Sequence, residues 1–125
     1  MRVLIVEDEP IIALEIEAIV LERLPNAEVR VVMSVAEALL EADQVLGLAF
    51  LDIDVTDGKT YPLALKLCLN KVPFAFVSGA RSDEAPQELA GARFIPKPFC
   101  AQDIRDIISS LGEAPECDAS DEEAT

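Results

Sequence analysis

The sequence predicts a doubly wound α/β fold: a five-stranded parallel sheet with helices on both faces, the fourth helix being short. Three observations carry this. Short apolar runs rich in β-branched residues alternate with segments whose apolar residues recur at helical spacing. The apolar runs stop abruptly at acids, a hydroxyl or a proline. Hydrophobic residues make up 51% of the 125 residues, enough for one domain with a substantial core.

Arg2 to Val6 is an apolar run closed by Glu7-Asp8-Glu9 and reads as a buried strand. Pro10 follows, where a first helical turn tolerates proline because the missing N–H would have no partner there. Ile12, Ile16, Ile19 and Val20 then form one helical stripe, with Glu15, Glu17 and Glu22 off it. Leu24-Pro25-Asn26 ends the helix, and Glu28 to Val32 is a second strand. Ser34 and Glu37 make a capping box for a second helix running to about Asp43. Leu48 to Leu51 is the third strand, terminated by Asp52.

After a loop, Leu63, Ala64, Leu67 and Cys68 give the stretch from Tyr61 to Leu69 a helical face. Pro73 opens a fourth strand through Val77, closed by Ser78-Gly79. Ser82 to Ala90 has room for only a short helix. Phe94-Ile95 is a short fifth strand, and Ile104, Ile107, Ile108 and Leu111 mark a last amphipathic helix. Alternation of this kind means a parallel sheet wrapped on both sides. Residues 112–125 carry six acids and no base, which reads as a disordered acidic tail beyond a domain of residues 1–111.

Composition excludes several functions. Ten basic side chains against 24 acidic ones leave a net charge of −14, which repels nucleic acid and anionic lipid. Histidine is absent, so an imidazole base, a Ser-His-Asp triad, a histidine metal ligand and a phosphohistidine are all ruled out within this sequence. Cys68, Cys100 and Cys117 are odd in number and widely spaced, unlike a disulfide framework or a zinc site. The apolar opening is too short for a signal peptide, and no run has the roughly 20 residues of a membrane span. A cytoplasmic protein is expected.

The acids fall where chemistry is expected. In a parallel doubly wound sheet, ligands sit beyond the carboxyl ends of the strands. Here strand one ends in Glu7-Asp8, strand three in Asp52, strand four in Ser78 and strand five in Pro96-Lys97-Pro98. If strands one and three are neighbours, three carboxylates converge, and such a cluster calls for a cation; hard oxygen ligands suit Mg²⁺. Each piece alone has an ordinary reading, as a helix-start acid, a strand cap, a turn or a solvated lysine. Their joint order, one after each of four strands, does not.

At these residues the sequence resembles the receiver domain of two-component response regulators. The matching segments are Leu4-Ile-Val-Glu-Asp-Glu-Pro10, Leu51-Asp52, Phe76-Val-Ser-Gly79 and Ile95-Pro-Lys-Pro-Phe99. The resemblance implies a flavodoxin-like sheet of order 2-1-3-4-5 and a phosphoacceptor at Asp52. It further implies Mg²⁺ held by Asp8, by Glu7 largely through water, by Asp52 and by the backbone carbonyl of Asp54. Ser78 and Lys97 would bind the phosphoryl group, and Phe94 falls at the family's switch aromatic. The phosphoryl donor would be a histidine kinase or phosphotransfer protein, and the downstream target a further protein. No enzymatic turnover is implied.

Some features depart from the common pattern. Asp52-Ile-Asp-Val-Thr-Asp-Gly58 is short and proline-free, Ser78 replaces threonine, and Phe94 lacks a hydroxyl. With Tyr61-Pro62 and Pro73-Phe-Ala-Phe-Val-Ser-Gly79, these resemble a subclass of stand-alone receivers. That subclass carries a Phe-Ala-Thr-Gly-like segment and pairs with HWE-type histidine kinases. Two other readings compete. Asp52-Ile-Asp54-Val-Thr56 also fits the signature of haloacid-dehalogenase-type phosphatases, with Asp52 as nucleophile and Asp54 as acid-base. A binding module with an inert pocket is the other, against which Asp8, Asp52 and Lys97 speak.

Overall fold

The computed structural model describes residues 1–79 and 85–110. The expected acidic tail, Leu111, Cys117 and the first residues of the expected fourth helix, including Ser82, lie outside them.

Five strands form one parallel sheet: β1 (Arg2–Val6), β2 (Glu28–Val32), β3 (Leu48–Leu51), β6 (Phe74–Ser78) and β7 (Arg93–Pro96). Between β3 and β6, where a loop is expected, lies a small antiparallel ribbon, β4 (Asp54–Val55) and β5 (Gly58–Lys59). The large sheet has the order β2-β1-β3-β6-β7, which among its five strands is the expected 2-1-3-4-5. Four α-helices cover it: α1 (Pro10–Arg23), α2 (Val35–Glu41), α3 (Tyr61–Leu69) and α4 (Ala101–Ser109).

The period-two alternation of the strands sorts the core into two halves. Leu4, Val6, Ala49, Leu51, Phe74 and Phe76 face α2 and α3, where they meet Ala38, Leu63, Ala64, Leu67 and Cys68. Val3, Ile5, Leu48, Phe50, Ala75 and Val77 face α1 and α4, against Ala13, Ile16, Val20, Ile104 and Ile108. Because both faces are covered, the central strands read as unbroken apolar runs rather than alternating ones. The expected stripe of α1 is present, with Ile16 and Val20 buried, Ile12 and Ile19 packed at its edge, and Ala13 completing it.

The described residues hold four α-helices; the fourth helical element, expected to be short between Ser82 and Ala90, is in its described part a single 3₁₀ turn, Gln87–Leu89, anchored by buried Leu89. Pro86 at its start and the lack of other large apolar residues leave little to hold a longer helix. The fifth strand is longer than Phe94-Ile95, running from Arg93 to Pro96 because Phe76↔Phe94 and Ser78↔Pro96 continue the ladder. No helix among the described residues is long and apolar enough to cross a membrane.

One buried polar group stands out. Tyr61 packs edge-on against Phe76, ring centroids 5.9 Å apart, and its hydroxyl is buried without a hydrogen-bond partner among the described residues. A buried hydroxyl without a partner carries a desolvation penalty of about 1–3 kcal/mol. Tyr61→Phe is therefore expected to keep or raise the melting temperature. A clear fall in the thermal midpoint by calorimetry would contradict this.

Candidate functional site

Sheet register builds the site before any side chain is considered. Val6 pairs with both Val32 and Leu51, so the residues that follow, Glu7 and Asp52, emerge side by side. The ladder continues one step beyond the strands: Glu7 N–H donates to the Val32 carbonyl at 3.0 Å, and Asp52 N–H to the Val6 carbonyl at 2.8 Å. Across the sheet, Lys97 N–H donates to the Ser78 carbonyl at 2.9 Å. The three strand ends that carry Glu7, Asp52 and Lys97 are thus fixed by backbone, not by loop packing.

The side chains meet at one ammonium. Lys97 Nζ lies 2.7 Å from Glu7 Oε1, 3.2 Å from Asp52 Oδ2 and 3.3 Å from Glu9 Oε1. Glu7 is 1% exposed, Asp52 7% and Ser78 4%, so two carboxylates sit in the protein interior at a separation that requires a cation. Carboxylate oxygens of Glu7, Asp8, Glu9 and Asp52 all lie within 4.8 Å of one another. Glu7 is further oriented by the Glu9 amide, which donates to its Oε2 at 3.2 Å.

Burial pushes the Glu7 carboxyl up to about 7, further than the Lys97 hydrogen bond brings it down; nearby Asp52 adds to the rise. Burial alone would lower the Lys97 ammonium. The hydrogen bond it donates to Glu7 and the charges of Asp52 and Glu7 outweigh burial and hold the group above its ordinary value. The cluster therefore keeps its cation charged and leaves one acid ready to release a proton.

Of the predicted site residues, the structure brings together Glu7, Asp8, Asp52 and Lys97. Ser78 stands buried at the end of β6. Phe94 is half-buried and borders a small apolar cavity with Ile53, Tyr61, Phe76 and Leu89, one layer below the acids. The Asp54 carboxylate is exposed in β4 and ion-paired with Lys59, which leaves its backbone carbonyl, the atom expected to serve the metal, unaffected.

Three residues that matter were missed. Glu9 reaches Lys97, though in the sequence it was only the last of an acidic trio closing strand one. Thr60 is fully buried, and its Oγ1 donates to the Asp52 carbonyl at 2.6 Å, tying the start of α3 to the end of β3. Asp57 crosses to another element, where its carboxylate accepts from the amides of Val35 at 2.6 Å and Ala36 at 3.1 Å. These two backbone hydrogen bonds hold its carboxyl below the usual range. Asp57 thereby joins Ser34, which accepts from Glu37 N–H at 3.1 Å, in capping α2. The Asp57-Gly58 dipeptide was the available signal: Gly58 has φ +136°, a backbone favouring glycine, as a tight hairpin needs.

Comparison with known proteins agrees with this geometry. No family model matches the chain. The sensory transduction protein LytT of Enterococcus faecalis is 37% identical over 117 residues, which are 90% of this chain and 48% of that protein. The chain thus spans about half the length of that curated relative. The solution structure of SdrG from Sphingomonas melonis Fr1 is 31% identical, with a TM-score of 0.74, covering 90% of this chain and 97% of that one. A CheY-like response regulator receiver domain protein from Methanospirillum hungatei is 26% identical, with a TM-score of 0.72, covering 86% and 90%. The chain belongs to the response regulator receiver domain family.

In this receiver domain the site chemistry gives a direct pH dependence. A folded-state carboxyl at about 7, against an ordinary 4.5, stabilises the fold fully below the lower value and loses that contribution as pH rises through the higher one. In metal-free buffer the Glu7 side-chain carbon is therefore expected to titrate by NMR with a midpoint near 7. A midpoint at the ordinary carboxylate value would contradict the burial account.

Proposed function

We propose that this receiver domain accepts a phosphoryl group on Asp52 from a histidine kinase or phosphotransfer protein and passes the signal on through protein contacts. The observation that carries the reading is a buried carboxylate, Asp52, with a lysine ammonium 3.2 Å away, at the open ends of three neighbouring strands. An Asp52 oxygen forms the new O–P bond as the P–N bond of the donor phosphohistidine breaks, and the donor nitrogen keeps the electron pair. Because residues 1–125 include no histidine, the phosphoryl group comes from outside them. Lys97 then pairs with the phosphoryl oxygens, the Ser78 hydroxyl donates to them, and Phe94 responds as Ser78 moves.

Mg²⁺ fits the donor set. The clustered carboxylate oxygens are hard ligands of the kind a small cation keeping several waters prefers. Asp8 would hold it directly, Glu7 largely through water, Asp52 by a carboxylate oxygen and Asp54 by its backbone carbonyl. When bound, the ion neutralises charge on the phosphoryl oxygens. The receiver domain of sensor histidine kinase PA1611 from Pseudomonas aeruginosa, 21% identical, has a magnesium ion coordinated in its active site cleft.

The phosphatase reading is not favoured. It needs Asp54 as the acid-base beside Asp52, yet the Asp54 carboxylate is exposed and held by Lys59. Pro73-Phe-Ala-Phe-Val-Ser-Gly79 supports the subclass that pairs with HWE-type kinases, and the absence of a long apolar helix among the described residues fits a cytoplasmic setting.

Mass spectrometry after mixing with phosphoramidate and Mg²⁺ tests the proposal. A single added phosphoryl mass is expected. Asp52→Asn is expected to abolish it with the circular dichroism spectrum unchanged, because the change relieves carboxylate repulsion without opening a cavity. Labelling of Asp52→Asn at the wild-type rate would overturn the assignment.

A further inference from the structure

We infer that Glu9 is a positioning residue that holds the Lys97 ammonium away from an incoming phosphoryl group and so slows its uptake. The inference rests on Asp52 being the phosphoacceptor.

Glu9 occupies the N-cap of α1 with extended backbone, a place where a polar side chain commonly accepts from the first turn. Its side chain makes no such bond. Its backbone is fixed on both sides: its carbonyl accepts from Ala13 N–H at 3.0 Å, and its own N–H donates to Glu7 at 3.2 Å. Thus anchored, the carboxylate reaches across to Lys97 at 3.3 Å.

Lys97 has three N–H donors and three carboxylates around it. A phosphoryl group on Asp52 brings new anionic oxygens to the same ammonium, so one existing contact must yield. The Glu7 contact is the shortest and lies in the interior, and Asp52 is the reacting group itself. The Glu9 contact is the longest of the three, and its side chain is 64% exposed, so it is the one released. Until release, one face of the Lys97 ammonium is taken up by Glu9 and withheld from the phosphoryl group, and an extra negative charge faces the anionic donor. Being exposed and open to screening, the contact has a modest effect: about two- to fivefold in rate, which is what an ordinary surface ion pair is worth.

Two substitutions separate the contact from the charge. Glu9→Gln removes the charge and keeps the length; Glu9→Asp keeps the charge but is one methylene too short to reach Lys97. The probe is phosphoramidate at saturating Mg²⁺, with the rate of phosphoryl uptake followed by mass spectrometry and Mg²⁺ affinity measured separately by calorimetry. Both variants are expected to take up phosphate about two- to fivefold faster than wild type. Unchanged rates in both would overturn the inference. Acceleration in Glu9→Gln alone would overturn it in favour of a simple charge effect. A rate difference only below Mg²⁺ saturation would overturn it in favour of metal ligation. Wild type that takes up no phosphoryl group would instead refute the phosphoacceptor assignment on which the inference rests.

Discussion

Two carboxylates buried at the ends of adjacent parallel strands share one lysine, and most of the architecture follows from that requirement. Charges removed from water cost several kcal/mol each unless a counter-charge and hydrogen bonds meet them. Glu7 and Asp52 are brought together by the β1–β3 register, which the apolar runs of both strands fix. Both faces of β1 and β3 are buried, so a one-residue slip would exchange large and small side chains such as Phe50 and Ala49 between the two halves of the core, and close packing there holds the register that pairs the carboxylates. Lys97 answers it from the far side of the sheet, positioned by the continuation of the β6–β7 ladder into Lys97 N–H and the Ser78 carbonyl.

The rest of the site is arranged to keep this charge cluster accessible but rigid. Thr60 clamps the Asp52 carbonyl from the start of α3, and Asp57 fastens the ribbon after Asp52 to the N-terminus of α2. The loop that follows Asp52 is therefore tied to two helices on the same face of the sheet. Below it, Phe94 and Phe76 pair across β6 and β7 and border the small cavity shared with Tyr61. A displacement of Ser78 at the end of β6 is thus one strand away from the aromatic whose environment it would alter. Packed interfaces of this kind respond in steps rather than by continuous deformation.

The strand order was legible only as what the family resemblance implied, whereas the sheet itself was legible because every central strand is a short apolar run with a polar stop. Glu7, Asp8, Asp52, Ser78 and Lys97 were legible for the same reason, since a residue that stops a strand must lie at the sheet edge. What escaped depended on contacts between distant segments. Asp57 lies 22 residues from Val35 in the chain, and no local pattern links them. Thr60 looked like an ordinary residue before a helix, although its hydroxyl is buried against the Asp52 carbonyl. Glu9 was hidden by its neighbours, because a run of three acids after a strand does not say which of them turns inward. The shortness of the helical element before β7 was legible, since Leu89 is its one large apolar anchor and a longer helix would gain little burial; its described part is a single 3₁₀ turn.

The central claim is that a cation is what allows Glu7 and Asp52 to be buried together. Lys97→Met keeps the length of the side chain and removes its charge. Thermal and urea unfolding of this variant, with and without Mg²⁺, at a pH above the Glu7 titration, tests the claim most directly. Without metal, a loss of about 3 kcal/mol is expected, near the lower end for breaking a buried pair because Glu7 can take up a proton instead. Saturating Mg²⁺ is expected to stabilise the variant by more than it stabilises the wild type, since the ion then supplies the missing charge. An equal loss with and without the ion, or no loss at all, would contradict the account.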